Sequence, residues 1–321
     1  MGGVAVVILH YNTWQDTLAC VESVLASAQP PSQVFIVDNA STNDSVRWFR
    51  HWAAGNLEFA LPEFGAPGSC RKPLSLAEID GDSPLPAMAS SNVVLVRNSA
   101  NRGYAAGNNA GLRLAMQGDA EAVWILNNDT IVDKDALGAM YRRLFSRKKP
   151  GLCGSLIRYM ESGLVQCRGG GITNKWTGLS VLDGHKEDIA AALQATPDEV
   201  EQRINFIYGA SVMASRTFIE HVGLMDERYF LYCEEQDWAY SARGRFDFAY
   251  APDAVVYHRE GGSTGFSRRK INVRALCHLT RSRVLLVAKH MPIALPSVCL
   301  SMAFAAMRMV WRRLWLSRRR T

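Results

Sequence analysis

Short apolar runs alternate with amphipathic segments along the first half of the chain. Four runs have the β-branched, aliphatic composition of strands buried on both faces, at 4–9, 34–37, 93–96 and 122–126. Four segments between and after them carry apolar residues at helical spacing, at about 14–28, 44–54, 104–117 and 135–146. This order predicts right-handed βαβ units, and therefore an α/β fold with a mostly parallel central sheet flanked by helices.

Two later stretches depart from this rhythm. Residues 61–91 hold five of the chain's twelve prolines and show no periodic pattern, which predicts a surface insertion. The apolar runs at 246–251 and 254–257 flank Pro252 and Asp253, and predict a hairpin that closes the sheet. We expect one domain over 1–265, followed by a basic, apolar helical tail over 266–321.

Composition and cysteine use indicate an ordinary globular protein in a reducing compartment. The chain of 321 residues is 48% hydrophobic and 21% charged, which allows a substantial core. Its seven cysteines are scattered without a CxxC pair, so neither a disulfide framework nor a zinc site is indicated. No basic leader precedes the first apolar run, and we therefore expect no signal peptide.

The net charge of +6 is unevenly distributed along the chain. From Phe266 to the end there are 13 Lys or Arg and no acidic residues, whereas the preceding part carries 23 basic and 30 acidic residues. Residues 293–311 are mostly apolar, but Pro296, Arg308 and the arginines interleaved with tryptophan favour an interfacial helix over a membrane span. We expect peripheral attachment to the anionic inner face of the plasma membrane, and no nucleic-acid partner.

Polar residues end three of the predicted strands. Asn127, Asn128 and Asp129 follow one strand, Asp38 and Asn39 follow another, and His10, Tyr11 and Asn12 lie at the end of the first. Turn formation and helix capping are the simpler explanation, because Asn and Asp favour both. A shared sheet edge with oxygen donors would instead hold a hard divalent cation and a nucleotide. The Asp38 carboxylate matches the N3–H of uracil or thymine.

Glycines 103, 107 and 111 recur every four residues in the stretch NRGYAAGNNAGL, at 101–112. On a helix they form one stripe without side chains, which allows close approach of a strand or a ligand. Neither GxGxxG nor a phosphate-binding GxxxxGK[ST] loop is present. Tight helix–sheet packing explains at least one of these glycines, and Arg102 and Asn108 are candidates to contact phosphate.

Two further clusters carry possible chemistry. Glu234, Glu235 and Asp237 crowd three carboxylates beside aromatic residues, which predicts a general base, unless they simply start a solvated helix. His258 follows an apolar run and could complete a metal shell begun by Asp129. The glycine-rich loop after it carries Ser263 and Thr264, whose hydroxyls could hold phosphate oxygens.

Together these residues resemble the family 2 glycosyltransferases of the GT-A fold, most closely the bacterial rhamnosyltransferase-like branch. Seven ordered motifs over about 4–265 carry the resemblance: VVILHYN, VDNASTNDS, NRGYAAGNNAGL, LNNDT, YGASVMASR, GLMDERYFLYCEEQDW and VVYHREGGSTG. The resemblance implies a Rossmann-like GT-A sheet. It also implies transfer of a sugar from a nucleoside diphosphate sugar, with inversion at the anomeric carbon.

The resemblance also implies roles for individual residues. The metal-binding DxD-type motif falls on 127–129, so that Asp129 would be the main carboxylate on Mg²⁺ or Mn²⁺, Asn127 a weaker ligand and His258 a third. The acidic motif places the base on Glu235, with Asp237 close behind and Glu234 beside them. The nucleotide-binding set is Tyr11, Asn12, Asp38, Asn39, Arg102, Asn108, Asn128, Ser263 and Thr264. The acceptor pocket would be bordered by Met225, Asp226 and Trp238.

L-Rhamnose from dTDP-rhamnose is the donor that the family branch favours, while UDP- and GDP-linked sugars stay open. A lipid-linked glycan or a polysaccharide precursor at the cell envelope is the expected acceptor. Two other classes compete with this reading. The amide at Asn127 favours a catalytically degenerate nucleotide-sugar-binding scaffold, and the basic tail favours a nucleic-acid-binding module.

Overall fold

A central sheet of ten strands organises the part of the chain that our computed structural model describes, residues 2–57, 70–81, 83, 91–259 and 273–318. The strands are β1 (Val4–His10), β2 (Gln33–Asp38), β3 (Leu76–Asp80), β4 (Val93–Arg97), β5 (Ala122–Asn127), β6 (Thr130–Val132), β7 (Pro150–Tyr159), β8 (Val165–Arg168), β9 (Gly170–Thr173), β10 (Ser180–Leu182), β11 (Phe206–Ile207), β12 (Ser211–Ser215) and β13 (Asp247–His258). The helices are α1 (Trp14–Leu25), α2 (Ser45–Ala53), α3 (Tyr104–Ala115), α4 (Ala136–Phe145), α5 (Ile189–Ala192), α6 (Pro197–Arg203), α7 (Arg216–Val222), α8 (Glu234–Ser241), α9 (Val273–His290) and α10 (Leu295–Arg318), with a 3₁₀ turn at Pro292–Ala294.

The sheet runs in the order β3-β4-β2-β1-β5-β12-β7-β13-β6, with β8 paired to β7. The first five strands of this order are parallel to one another, and β13 is parallel to β7. Only β12, β6 and β8 pair antiparallel to their neighbours within this sheet. Strands β9, β10 and β11 form a second, three-stranded sheet. The prediction of a mostly parallel α/β sheet is therefore confirmed.

The strand β1 shows why the apolar runs are continuous rather than alternating. Val4, Val6 and Ile8 pack into the cluster that contains α1, α2 and α4, whereas Ala5 and Val7 pack into the cluster that contains α3. Helices thus cover both faces of the sheet, and neither face of the strand tolerates a polar residue.

Two sequence predictions of local structure are wrong. Residues 76–80, inside the predicted insertion, form the edge strand β3, which pairs parallel with β4. The predicted hairpin at 246–257 is instead the single strand β13, and Pro252 and Asp253 lie where its register against β7 shifts. A bulge uses the same residues as a tight turn, so local composition does not separate the two.

The C-terminal region is helical, as predicted, over α9 and α10. Helix α9 packs against α8, and its residue Leu286 joins a small cluster with Tyr229, Cys233 and Tyr240. Among the described helices, none is both long and apolar enough to cross a membrane.

The predicted glycine stripe packs α3 against the sheet. A side chain at Gly107 would overlap Leu9, and one at Gly111 would overlap Val7. Gly103, which precedes α3, has φ +94° and lies against the backbone of Phe230. Close packing therefore accounts for all three glycines.

Gly103→Ala is expected to lower the free energy of unfolding by more than Gly223→Ala. Gly103 (φ +94°) and Gly223 (φ +88°) both combine a positive φ with an extended ψ, a region that is essentially confined to glycine and costs about 1–3 kcal/mol for an L-residue. Only at Gly103 would the added methyl group overlap a backbone carbonyl, whereas Gly223 has no atom within 4 Å of it. Urea denaturation of the two variants measures the difference, and equal losses would contradict this packing.

Candidate functional site

The polar strand ends meet at one edge of the sheet, as predicted from their positions. His10 pairs with Asp38 across β1 and β2, and Leu9 pairs with Asn127 across β1 and β5. On the other side, His258 at the end of β13 pairs with Thr130, which directly follows Asp129. The same edge therefore carries residues from four strands.

Asp129 and His258 are buried and in contact. The Nε2 atom of His258 lies 3.1 Å from Oδ1 of Asp129, but this contact lacks hydrogen-bond geometry, and Oδ1 has no hydrogen-bond partner among the described residues. On the other side of the ring, Nδ1 lies 2.7 Å from Oε1 of Gln166. An amide oxygen can only accept, so Nδ1 carries the proton and, in the neutral ring, Nε2 presents a lone pair.

This donor set fits a divalent cation. Two buried lone pairs that face one point, one from a carboxylate and one from an imidazole oriented by Gln166, are typical of metal ligands. Asn127 adjoins them, and its described hydrogen bonds involve its backbone: the N–H donates to the Ala210 carbonyl, and the carbonyl accepts from Thr130 Oγ1 and Cys20 Sγ. No group of three or more His, Cys, Asp or Glu among the described residues could hold a metal by itself. The shell thus needs oxygen atoms from phosphates or water.

The loops after β1 and β2 are joined around Asn12 and Asp38. The Asn12 side-chain oxygen accepts from the backbone N–H of Thr42 at 2.8 Å, and the Asn12 N–H donates to Ser41 Oγ at 3.0 Å. Asp38 is buried and accepts from the Ser41 N–H at 3.0 Å. The carboxylate is thereby oriented at the sheet edge, and Tyr11 lies partly exposed beside it.

Three asparagines of the predicted nucleotide-binding set are occupied inside the fold. Asn39 hydrogen-bonds through its side chain to Asn98, Asn101 and the carbonyl of Gly103. Asn128 donates to the hydroxyls of Thr13 and Thr17. Asn108 is fully buried in α3 and donates to the carbonyl of Tyr104, while its Oδ1 has no hydrogen-bond partner among the described residues. Their side chains fix the loops and helices around the site rather than point out of it.

The remaining predicted phosphate contacts lie elsewhere. Arg102 is exposed just before α3. Burial opposes the shift at the nearby Glu227, but hydrogen bonds from Asn109 and Arg113 hold the pKa of that carboxyl below its ordinary value, and the charge of Arg102 adds a smaller contribution. Ser263 and Thr264 lie outside the described residues.

Glu234 and Glu235 begin α8 as adjacent, largely desolvated carboxyls. Burial raises the pKa of Glu235 to about 7, while backbone hydrogen bonds oppose the rise. Burial and the neighbouring charge of Glu235 raise the pKa of Glu234 well above its ordinary value, and its Oε2 is buried without a partner among the described residues. Glu235 remains partly exposed, whereas Glu234 is buried. Of the two, Glu235 is the carboxylate that a substrate can reach.

A turn that sequence reasoning did not assign to the site lies near both Glu235 and His258. A Cβ at Gly209 would lie 3.4 Å from Oε1 of Glu235, and the Tyr104 hydroxyl donates to the Gly209 carbonyl at 2.7 Å. The ring of Tyr208 lies 6.4 Å from the ring of His258, edge to face. Residues 208–209 thus lie between Glu235 and His258. In the sequence, the only sign of a role for these two residues was their place inside the motif YGASVMASR.

Asp237, the alternative base, is saturated by polar contacts. It accepts from the Tyr229 hydroxyl at 3.1 Å, and its oxygens lie 2.9 Å from Lys289 Nζ and 2.7 Å from His290 Nε2. Lys289 also contacts Asp226, whose carboxyl has a pKa lowered mainly by Arg228. Asp237 is 2% exposed. It therefore ties the end of α9 to α8.

The predicted acceptor border is largely core. Trp238 is buried, stacks edge to face on Phe218 and donates its indole N–H to the Gly223 carbonyl. The backbone of Met225 is bonded in both directions to the side chain of Asn109 on α3. These two residues hold α8 and the preceding loop in place but do not line an open surface.

Comparison with known proteins finds a family model that matches part of the chain. The model of "Glycosyl transferase family 2" matches residues 5–61 and 80–169. None of the curated protein sequences matches the chain significantly.

Three solved glycosyltransferase structures resemble the fold. GalNAc-T7 with UDP, GalNAc and Mn²⁺ has a TM-score of 0.60 at 15% identity, over 90% of this chain and 48% of that one. The mannosyltransferase PcManGT from Pyrobaculum calidifontis, with GDP-Man and Mn²⁺, has a TM-score of 0.55 at 17% identity, over 95% and 75%. S. aureus TarS 1-349 with UDP-GlcNAc has a TM-score of 0.51 at 11% identity, over 90% and 67%. The chain spans about half the length of GalNAc-T7.

The matched region contains β1, β2, β5 and the Asn127–Asp129 motif, and the neighbours share the sheet that carries this edge. The fold is accordingly GT-A, and residues 5–61 and 80–169 of the chain match glycosyl transferase family 2.

Proposed function

We propose that this protein is an inverting glycosyltransferase that uses a divalent cation and a nucleoside diphosphate sugar. The observation that carries the proposal is the pair Asp129–His258, two buried metal-type ligands. The turn at 208–209 lies between this pair and Glu235, a partly exposed glutamate with a raised pKa. The complexes of the structural neighbours, with Mn²⁺ and UDP or GDP-Man, support the same ligand class.

In this proposal each residue has a defined task. Asp129 and His258 would hold Mg²⁺ or Mn²⁺ with help from Asn127, and Asp38 with Tyr11 binds the nucleobase. When bound, the cation would supply positive charge that stabilises the diphosphate leaving group. Glu235 accepts the proton of the acceptor hydroxyl that attacks the anomeric carbon from the opposite face. One displacement of this kind inverts the configuration.

The value of kcat/KM is expected to rise with pH through an apparent pKa near 7. The base must be deprotonated, and burial raises the pKa of Glu235 to about 7, so activity is lost as the pH falls below this value. Initial rates at saturating metal across the acidic range measure this limb. An acidic limb near the ordinary glutamate pKa would contradict the assignment of Glu235.

Asp237→Asn is expected to leave this acidic limb unchanged, because Asp237 anchors α9 rather than accepting the proton. The variant loses the charge attraction to Lys289, which is one-third exposed, so we expect a loss of about 1–2 kcal/mol of stability and less than tenfold in kcat. Thermal denaturation and the pH profile measure the two effects separately. Loss of the acidic limb would instead identify Asp237 as the base.

For the donor we propose L-rhamnose from dTDP-rhamnose, with UDP- or GDP-linked sugars as the alternatives. For the acceptor we propose a lipid-linked glycan or polysaccharide precursor. The 13 basic and no acidic residues from Phe266 onward support attachment to the anionic inner face of the plasma membrane, where such an acceptor would lie.

Donor turnover tests the proposed reaction. The purified chain is incubated with dTDP-rhamnose, UDP-glucose or GDP-mannose, with Mn²⁺ or with EDTA, and with a lipid extract as acceptor. Release of one nucleoside diphosphate that requires the metal, with an inverted anomeric product by NMR, is the expected result. Metal-independent turnover or retention of configuration would contradict the proposal.

A further inference from the structure

Large apolar side chains are exposed on two elements that meet at the C-terminal side of the molecule. On α10 these residues are Ile293 (which precedes the helix), Leu300, Phe304 and Met307, and Ile293 is 87% exposed. On the β9–β10 hairpin they are Ile172, Trp176, Leu179 and Val181, and Trp176 is 52% exposed. Ile172 and Val181 are paired across the two strands.

The two sets form one continuous surface. Ile293, Ser297, Leu300, Phe304 and Met307 follow at four- and three-residue steps, so they share one face of the helix. In the middle of this face, the Ser297 hydroxyl donates to the Trp176 carbonyl at 2.7 Å. From α9, the Arg283 guanidinium donates to the Thr177 carbonyl and to Ser301. The turn of the hairpin is thereby fixed next to the exposed apolar face.

Apart from the Ser297 contact, the apolar side chains of this face are exposed in the described part of the chain. The opposite side of α10 contributes Val298, and Ala294 of the preceding turn joins it, in a buried cluster with Val287 of α9. The exposed side chains are therefore additional to those that hold the helix in place, and a contiguous apolar face of this kind indicates an interaction surface.

The charge of the C-terminal sequence argues for an anionic bilayer as the partner. The chain carries 13 basic and no acidic residues from Phe266 to its end, and the Lys175 ammonium lies 5.2 Å from the Trp176 ring. An exposed apolar face with a tryptophan, in a protein whose C-terminal sequence carries only basic charges, is typical of a surface that lies in the interface of an anionic bilayer.

We propose that the β9–β10 hairpin and the exposed face of α10 form one membrane-docking surface. Trp176 and Leu179 of this surface insert into the bilayer beside the helix. This inference deepens the proposed membrane attachment and rests on it. It assigns a second contact, outside the basic tail, and two contacts fix the orientation of the sheet edge relative to the lipid.

Vesicle sedimentation of the full chain tests this surface with a matched pair of variants. Leu179→Ser and Leu193→Ser remove the same side chain from similarly exposed positions, but Leu193 follows α5, outside the proposed surface. We expect Leu179→Ser and Trp176→Ser each to weaken binding to phosphatidylglycerol–phosphatidylcholine vesicles about tenfold, and Leu193→Ser to leave it unchanged. Lipids brominated in the acyl chain should quench less fluorescence in Trp176→Phe than in the unsubstituted chain.

Unchanged vesicle affinity and quenching in the hairpin variants would overturn the proposal, and so would equal losses in all three serine variants. A dimer that dissociates on Leu179→Ser, seen by light scattering without vesicles, would also overturn it by making the occupant a second copy. Turnover of a nucleoside diphosphate sugar is measured in parallel. If the hairpin variants bind vesicles normally and turnover is also normal, only the docking surface is rejected. If vesicle binding behaves as expected but no sugar nucleotide is turned over, the proposed reaction is rejected instead.

Discussion

Glu235→Gln is expected to lower kcat by about 10³-fold while the affinity for the nucleoside diphosphate changes little. The amide keeps the size of the side chain beside Gly209 but cannot accept the proton, and a positioned general base contributes roughly 10²–10⁴-fold. Single-turnover kinetics measures the chemical step, and calorimetry measures nucleotide binding.

Glu220→Gln provides the control, because Glu220 is an exposed residue of α7 paired with Arg216. It is expected to keep full activity. If Glu235→Gln retained most of its kcat, the base would have to be another group. The raised pKa of Glu235 would then not reflect a role in catalysis.

Asp129→Asn is expected to abolish the metal dependence of diphosphate binding and to lower transfer at least about a hundredfold. The substitution replaces the buried carboxylate that faces His258 Nε2 by a neutral amide, leaving one strong ligand, and a catalytic cation supplies several kcal/mol of charge stabilisation. Nucleotide titrations with Mn²⁺ and with EDTA measure the first effect, and initial rates measure the second.

Asp135→Asn is the matched control. Asp135 precedes α4, is exposed and makes no side-chain capping hydrogen bond, so the same substitution there should change neither quantity. Metal-dependent binding that survives in Asp129→Asn would contradict the assignment of this carboxylate to the cation.

Local pattern was sufficient to predict the parts of the fold that follow from burial. The runs that became β1, β2, β4 and β5 are apolar throughout because helices cover both faces of the sheet. Since parallel strands end at the same edge, the positions of Asp38, Asn127 and His258 along the chain already predicted one shared site.

Contacts between segments that are distant in the chain could not be predicted from local pattern. Gln166 orients His258 from 92 residues away, and the Tyr104 hydroxyl reaches the Gly209 carbonyl from 105 residues away. From sequence, only the resemblance to a motif placed Glu235 ahead of Asp237 as the base. Only the packing of α9 shows that Asp237 is held by Lys289 and His290 while Glu235 stays accessible.

Polar residues with two possible uses account for the other differences. Asn39, Asn108 and Asn128 are of a residue type that often binds ligands, yet their amides donate hydrogen bonds to the protein's own loops and helices. Pro252 and Asp253 have the composition of a turn, yet they form a bulge in β13. For the asparagines the hydrogen-bond partners decide the role, and for Pro252 and Asp253 the pairing of β13 with β7 does. The residue type alone decides neither.

Metal-dependent binding of a nucleoside diphosphate can be measured directly by thermal denaturation with dTDP, UDP or GDP, each with Mn²⁺ and with EDTA. A ligand at 100 times its dissociation constant adds ~2.7 kcal/mol to the free energy of unfolding, which should raise Tm by several degrees. We predict a shift with one diphosphate that requires Mn²⁺. No shift with any of the three, or the same shift in EDTA, would contradict a nucleotide and metal site at the edge formed by Asp38, Asp129 and His258.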